Sequence, residues 1–525
     1  MYLRVSKGKQ KDYLVIVQGY RDGGKVKQRT LCNLGAIDQI NKNDILALGS
    51  KLLERFGACA LINGSEINEE SRSNWGAIEV VGRVWQRYGI GELFDGLLRN
   101  RKLEYDLESA IKLMLCSRLC DPVSKLSIYN NQDFYALHPK IDLHGLYRSL
   151  DELDRYKDKL SEHLFKKQTL IHSSVRVAYF DVTTLYFESK KADSLRDFGF
   201  SKDCKFNEVQ IVLSLLTDNQ GMPLSYEIFS GNMYEGSTLV TSITKLKEKY
   251  AIEKIIVVAD RGMYSASNLK TISEMGFEYI VGTRLRNSSK KIKESVFNQE
   301  DYKTKVGESE KFKYKVINHE ERKGSTENIV IAWSQKRALK DARDRQRLIE
   351  KAHEMVQAQK VQDKRGAKKY IKLKTGCAEI DDSKIEADRL WDGYYAISTN
   401  SNLGAIEVLE AYHGLWKIED SFRLLKSHFE ARPMFHWTAK RISGHIMLNF
   451  IALIFEGYIE SRVKGFLGET ASVSPNKIRS SIESMQRSIL EIGGRKFHSY
   501  AKLNQHASAI LESLDIPSPQ SMQIQ

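Results

Sequence analysis

The sequence predicts a mixed α/β fold: a sheet flanked by helices, interrupted by a β-rich, basic insertion. A small α+β region and an all-helical module precede it. Three observations carry this. At about residue 175 helical periodicity gives way to β-branched and aromatic runs, "VRVAYFDVTTLYFE", "NEVQIVLSLLTD" and "PLSYEIFSGN". Helix and strand then alternate, through "STLVTSITKLKEKY", the buried-strand run "KIIVVAD", a helix from Ser265 and the strand "FEYIVGT". Beyond a long basic stretch, the strand "GYYAISTN" and an amphipathic helix return.

Taken in order, residues 1–60 form the small α+β region. "DYLVIVQGY" and "KVKQRTLCNLG" flank "RDGG", a hairpin signal, and "NKNDILALGSKLLERFG" reads as a helix. Residues 61–172 are the helical module, with runs such as "WGAIEVVGRVWQRYG" and "LESAIKLMLCSRLC". Residues 173–284 hold three strands, expected as a meander, and the alternating elements after them. Residues 285–398 form the insertion, with strand-like "KFKYKVIN" and "ENIVIAWS" beside the basic helix that begins "SQKRALKDARDRQRLIEKAHEM". That helix either tracks phosphates or is a solvated face. Residues 399–525 hold the amphipathic helix and C-terminal helices, the last hundred residues reading as helical and ending in the loose tail "PSPQSMQIQ".

Of 525 residues, 42% are hydrophobic and 28% charged, which suits packed cores and excludes a disordered chain. The 81 Lys+Arg against 67 Asp+Glu leave a formal charge of +14, which favours a polyanionic partner through counterion release. Six scattered cysteines, without a Cys-x-x-Cys, suit a reducing compartment. Cys116 and Cys120, at helical spacing in an apolar run, are expected in the core. The opening "MYLRVSKGKQKDY" has no apolar signal-peptide stretch, and the apolar run Ile446–Phe455 looks too short to span a bilayer. A soluble intracellular protein is the expectation.

Three carboxylates stand in unexpected places. Asp181 lies inside the strand "AYFDVTTLYF", on the face of Val177 and Tyr179, where a charge needs a partner, a metal or solvent at a sheet edge. Asp260 ends "KIIVVAD" before "RGMY"; it is either a helix cap or turn former, or a ligand at a strand end. Glu419 sits on the helix "YHGLWKIEDSFRLLKSHF". Wound at 3.6 residues per turn, that stretch places Tyr412, Trp416, Glu419, Arg423 and Lys426 within about 40° of one line. An apolar stripe of Leu415, Ile418, Phe422, Leu425 and Phe429 runs beside it. Glu419 is either half of an i,i+4 ion pair with Arg423 or part of a site.

One acid on the opening strand of the sheet, one at a later strand end and one on a following helix is a ribonuclease-H-like layout. Such a trio would hold two Mg²⁺ or Mn²⁺ ions about 4 Å apart. No His or Cys cluster offers a zinc or iron alternative. The pieces "YFDVTTLYFES", "VVADRGMYSASNL" and "YHGLWKIEDSFRLLKS" resemble those of DDE-type insertion-sequence transposases with a Tyr-x₂-Arg-x₃-Glu-x₆-Lys helix signature. Tyr412, Glu419 and Lys426 keep its spacing, while Leu415 stands where the signature has Arg. "RLCDPVSKL" and "LYRSLDELDRYKDKL" resemble the helical N-terminal half of such proteins.

The resemblance implies a ribonuclease-H-like core in which Asp181, Asp260 and Glu419 are catalytic and hold Mg²⁺ or Mn²⁺. It implies cleavage at transposon ends and strand transfer into target DNA. The partners it implies are double-stranded DNA, namely terminal inverted repeats and target, and a second copy in a synaptic homodimer. Tyr412, Arg423 and Lys426 would contact phosphates, Arg423 in place of the missing signature Arg, and Arg261 would either position a phosphate or pair with the carboxylates. Trp416 either stacks on an unpaired base or packs against the sheet. A cytoplasmic, nucleoid-associated prokaryotic protein is implied, with no membrane. The alternatives are a non-catalytic end-binding relative and a nuclease that cuts without joining. Retention of all three acids counts against the first.

Overall fold

The computed structural model describes residues 1–55, 67–135, 140–172, 176–201, 203–250, 254–304, 311–322, 325–358, 366–374, 377–468, 470–492 and 495–524. The expected boundaries at 60/61 and 172/173 and the end of the basic stretch, 359–365, fall outside or at the edge of these residues. The chain forms two compact units: residues 1–72 with 487–501 and 520–525, and residues 73–486 with 502–519.

In the smaller unit, strands Tyr2–Lys7, Asp12–Asp22 and Lys25–Ala36 form an antiparallel sheet. The "RDGG" signal is a tight hairpin, with Gly23 at φ 55° and Gly24 at φ 79°, where two consecutive positive values favour glycine. The helix Lys42–Arg55 follows. A second sheet is ordered Met522–Ile524, Arg495–Tyr500, Gln486–Ile492, Ile67–Asn74. These strands correct the reading of the last hundred residues as helical. "QRSILEI" and "RKFHSY" are short and half-buried, and one of their partners lies more than 400 residues away, so local periodicity could not reveal them.

The larger unit is built on a nine-stranded sheet. Val177–Tyr186, Gln210–Asp218 and Pro223–Ser230 form the expected antiparallel meander. Ile256–Ala259 then pairs parallel to the first of these on its other side, and Glu278–Thr283 pairs parallel to Ile256–Ala259. The order of these five strands, numbered by sequence, is therefore 3-2-1-4-5, a ribonuclease-H-like arrangement. Strands from the later part of the chain extend the same sheet: Tyr394–Thr399 pairs with Glu278–Thr283, Ser325–Ser334 pairs with Tyr394–Thr399, and Phe312–Arg322 lies beyond.

Alternation along the Asp181 strand assigns its two faces. Ala178, Phe180 and Val182 join one core with Leu239, Ile243 and Leu246 of helix Glu235–Tyr250 and with Leu269 and Ile272 of helix Ala266–Glu274. Tyr179 and Asp181 belong to the opposite face. There the backbone of Gly414 approaches Tyr179 so closely that any Cβ would meet the phenol hydroxyl.

Helices Trp75–Tyr88, Ile90–Leu98, Leu107–Leu119, Lys125–Asn130, Leu143–Arg155 and Lys157–His172 form the helical module, with Cys116 and Cys120 buried as expected. Trp75–Tyr88, Leu107–Leu119 and Leu143–Arg155 pack with helix Ala439–Leu467. At 29 residues this helix is long and apolar enough to cross a membrane, which corrects the reading of Ile446–Phe455 as too short. Buried Ser443, His445 and Asn449 interrupt the apolar run in the sequence. Its most apolar window is 94% buried within the protein, so here it is a core helix.

Glu456 on that helix is fully buried, and neither carboxyl oxygen has a hydrogen-bond partner among the described residues. Burial, with Glu460 nearby, pushes its carboxyl up from an ordinary 4.5 to about 8. The unfolded chain releases this proton near pH 4.5, whereas the folded chain keeps it until about pH 8. The contribution of this group to stability is therefore full below pH 4.5 and falls as pH rises to about 8, by an amount on the order of 5 kcal/mol. Glu456→Gln cannot titrate. In melts at pH 5 and pH 8 its advantage over wild type grows with pH, by several degrees. A difference independent of pH would show that the carboxyl is not held protonated.

Candidate active site

The sheet brings the backbones of the two aspartates alongside each other. The parallel register pairs Phe180 with Ala259, and the next position on each strand is Asp181 and Asp260. In-register neighbours share a face, so both belong to the face of Tyr179. The Asp181 strand is paired on both sides, which removes the reading of a solvated edge position. Its carboxylate is half-buried and accepts the Val182 N–H at 2.7 Å.

Asp260 precedes the short 3₁₀ turn Arg261–Met263, but its side chain caps nothing there. Oδ1 instead accepts from the Tyr412 hydroxyl at 3.3 Å. Burial, reinforced by Asp260, holds this phenol well above the ordinary tyrosine range, so it remains a donor. Gly282 makes the contact feasible, since a Cβ there would meet the Tyr412 hydroxyl. An isolated glycine within "EYIVGT" was the sequence signal of that close approach.

The expected continuous helix is three pieces: Ala405–His413, Trp416–Arg423 and a π-helical turn, Leu424–His428. The break falls at Gly414, where the chain passes directly over Tyr179. The first piece packs against strands Ile256–Ala259 and Glu278–Thr283, and the second against the Asp181 strand and its antiparallel neighbour. Ile418, Phe422, Leu425 and Phe429 are buried, as the apolar stripe predicts.

The polar stripe divides. Glu419 is exposed on the piece that covers the Asp181 face. The ion pair with Arg423 does not form: Arg423 bonds Asp420 at 2.9 Å, and among the described residues Glu419 has no ion-pair partner. Trp416 is 56% exposed, which corrects the reading that packs it on the sheet. Lys426 leaves the line, because a π turn takes more residues per revolution than an α turn. Its side chain is only 13% exposed, with Nζ 3.5 Å from Asp203 Oδ2.

Arg261 is exposed beside Asp260, at the edge of a cleft of about 890 Å³. Its basic lining also includes Arg284, Arg286, Arg337, Arg345 and Lys369. Asp388 pairs with Arg286 at 2.5 Å and with Lys369 at 2.7 Å, and Asp392 pairs with Arg345. Among the described residues Arg261 and Arg284 have no ion-pair partner, so the cleft is most open to an anion beside Asp260.

The donor set suits a hard divalent cation, being carboxylate oxygen alone. Asp181 and Asp260 each follow directly on the paired positions Phe180 and Ala259. Among the described residues no three His, Cys, Asp or Glu side chains stand close enough together to hold a metal ion. Asp181 and Asp260 lie on adjacent strands, and Glu419 is carried by the helix that covers the Asp181 strand without closing the trio.

A family model described as "Transposase DDE domain" matches residues 174–455, more than half of the chain and all three acids. The chain belongs to this family of DDE-domain transposases. Residues 3–58 of the transposase match a second model, "IS1634 family transposase, N-terminal domain". No curated protein matches. Among solved structures, a piggyBac transposase synaptic complex with hairpin DNA is similar at 9% identity and TM-score 0.38, covering 79% of this chain and 80% of that one. A Mos1 transposase paired-end complex with the left transposon end is similar at 10% identity and TM-score 0.15, covering 34% and 60%. A Mos1 mariner paired-end complex with Mn is similar at 12% and 0.15, covering 46% and 78%. Membership of the family rests on the matched domain and not on these distant likenesses.

Proposed function

We propose that this transposase cuts DNA at the ends of its element and joins them to target DNA, using divalent cations held by Asp181, Asp260 and Glu419. The observation that carries this is the register of Asp181 beside Asp260, on the sheet face covered by the Glu419 helix. Bound there, Mg²⁺ or Mn²⁺ supplies Lewis-acid polarisation of the phosphodiester and charge neutralisation. Water attacks the phosphorus at the element's end and the P–O3′ bond breaks, freeing a 3′-hydroxyl. That hydroxyl attacks a target phosphodiester in line, forming one P–O bond as another breaks. Tyr412 orients the Asp260 carboxylate, and Arg261 and Arg284 present charge to a neighbouring phosphate. Arg423 and Trp416, both exposed on the Glu419 helix, contact DNA beside it.

Two ends must be held together, so the working form is proposed as a homodimer. The N-terminal region and the helical module are assigned to end recognition. As the transposase of a prokaryotic insertion sequence it would work in the cytoplasm, on the nucleoid.

Pre-cleaved transposon ends incubated with a supercoiled target and Mg²⁺ separate the readings. Joined product is expected. Cut ends without joined product favour a plain nuclease, and bound but uncut ends a non-catalytic protein. A milder change tests the Tyr412 contact: Tyr412→Phe removes the hydrogen bond to Asp260 and is expected to slow cleavage by roughly tenfold, about 1.4 kcal/mol of barrier, in single-turnover assays. An unchanged rate would assign the hydroxyl a packing role alone.

A further inference from the structure

The connection that leaves the Asp181 strand and leads to strand Gln210–Asp218 reaches, through Asp203, the segment that follows the Glu419 helix. Within it the Ser201 hydroxyl accepts the N–H groups of Asp203 at 3.3 Å and Lys205 at 3.0 Å, and Cys204 adopts φ 59°. This turn presents Asp203 to two cations more than 200 residues away. Lys426 Nζ lies 3.5 Å from Asp203 Oδ2, and the Arg432 guanidinium bonds the same oxygen. Both pairs are largely shielded, the three side chains being 13% (Lys426), 22% (Arg432) and 19% (Asp203) exposed. Arg432 and Lys205 also lie over the ring of Tyr186, the last residue of the Asp181 strand, at 5.7 and 5.3 Å. The Met434 N–H donates to the Tyr186 carbonyl at 3.1 Å.

Two cations gathered on one carboxylate oxygen repel each other, and away from bulk water that repulsion is strong. The carboxylate makes their proximity favourable. Remove its charge and the longer, solvent-seeking side chains separate. The pair it gathers lies at the end of the Glu419 helix, beside the strand that carries Asp181. We propose that Asp203 is a positioning residue, which assembles Lys426 and Arg432 into a two-cation clamp for one DNA phosphate flanking the scissile one. The inference rests on the transposase reading of the site. It has a sign opposite to that of simple charge counting, by which loss of an acid beside two cations strengthens everything DNA-dependent.

Three readouts test it on the full chain, with Asp203→Asn and Asp203→Glu. Asp203→Asn is expected to bind end DNA as tightly as wild type, or more tightly, at the same salt. It cleaves about tenfold or more slowly in a single turnover, because its phosphate is misplaced rather than unbound. Asp203→Glu recovers part of that rate. Hydrogen exchange rises in residues 424–437 of Asp203→Asn and stays unchanged elsewhere. Cleavage by Asp203→Asn at or above the wild-type rate would overturn the proposal, leaving Asp203 a counter-ion that DNA displaces. Unchanged protection of 424–437, or a rise spread over the whole chain, would overturn it too. If wild type itself never cleaves, the transposase reading fails, and the exchange measurement still decides whether Asp203 builds the clamp.

Discussion

Asp181→Asn, Asp260→Asn and Glu419→Gln each lower single-turnover cleavage of transposon ends by roughly a thousandfold or more, about 4 kcal/mol of barrier. Each leaves end binding within roughly threefold of wild type, or tightens it, because every substitution removes a negative charge near DNA. The first two follow from register, since each aspartate is the residue next after the paired positions Phe180 and Ala259 on adjacent parallel strands. The third follows from the helix that covers their face. Band-shift titration and quenched cleavage on the same end fragment measure both quantities. Survival of cleavage in any one variant would remove that residue from the site.

Gly414→Ala is the second large effect, and it acts through shape alone. The added methyl would meet the Tyr179 hydroxyl and ring, and the Ala411 carbonyl oxygen 3.1 Å away. Tyr179 is buried in the sheet and cannot step aside cheaply. Overpacking of this kind costs about 1–3 kcal/mol. Relief requires the Trp416–Arg423 piece to lift from the Asp181 strand, carrying Glu419 with it. Cleavage is expected to fall at least about tenfold, with end binding largely kept. Tyr179→Leu removes the obstructing atoms, so the double variant should cleave faster than Gly414→Ala alone, a coupling that a mutant cycle measures. Additive losses would place the defect elsewhere.

The acids were legible because each breaks a local rule. A charge within a β-branched strand, an Asp at the end of a buried run and a Glu beside an apolar stripe all conflict with the packing around them. The sequence left each with a plain structural alternative, and non-local geometry removed them. Pairing on both sides excludes a solvated edge for Asp181. The uncapped turn excludes a cap for Asp260. Asp420 takes the arginine that Glu419 was expected to pair with.

What could not be read depends on partners distant in the chain. The break at Gly414 exists because Tyr179 lies beneath it, and a helical wheel contains no sheet. The π turn that withdraws Lys426, and the acid that receives it, belong to a fold in which residues 203 and 426 meet. The strands "KFKYKVIN" and "ENIVIAWS" were legible locally, but only strand pairing shows that they extend the central sheet.

The central claim is that Asp181, Asp260 and Glu419 together hold divalent cations when DNA is bound. Anomalous diffraction from crystals of the protein with Mn²⁺ and uncleavable end DNA tests it most directly. The account predicts manganese peaks between the Asp181 and Asp260 carboxylates, with Glu419 drawn to the same site and the peaks absent in Asp181→Asn. Manganese bound away from this pair, or peaks undiminished in that variant, would contradict it.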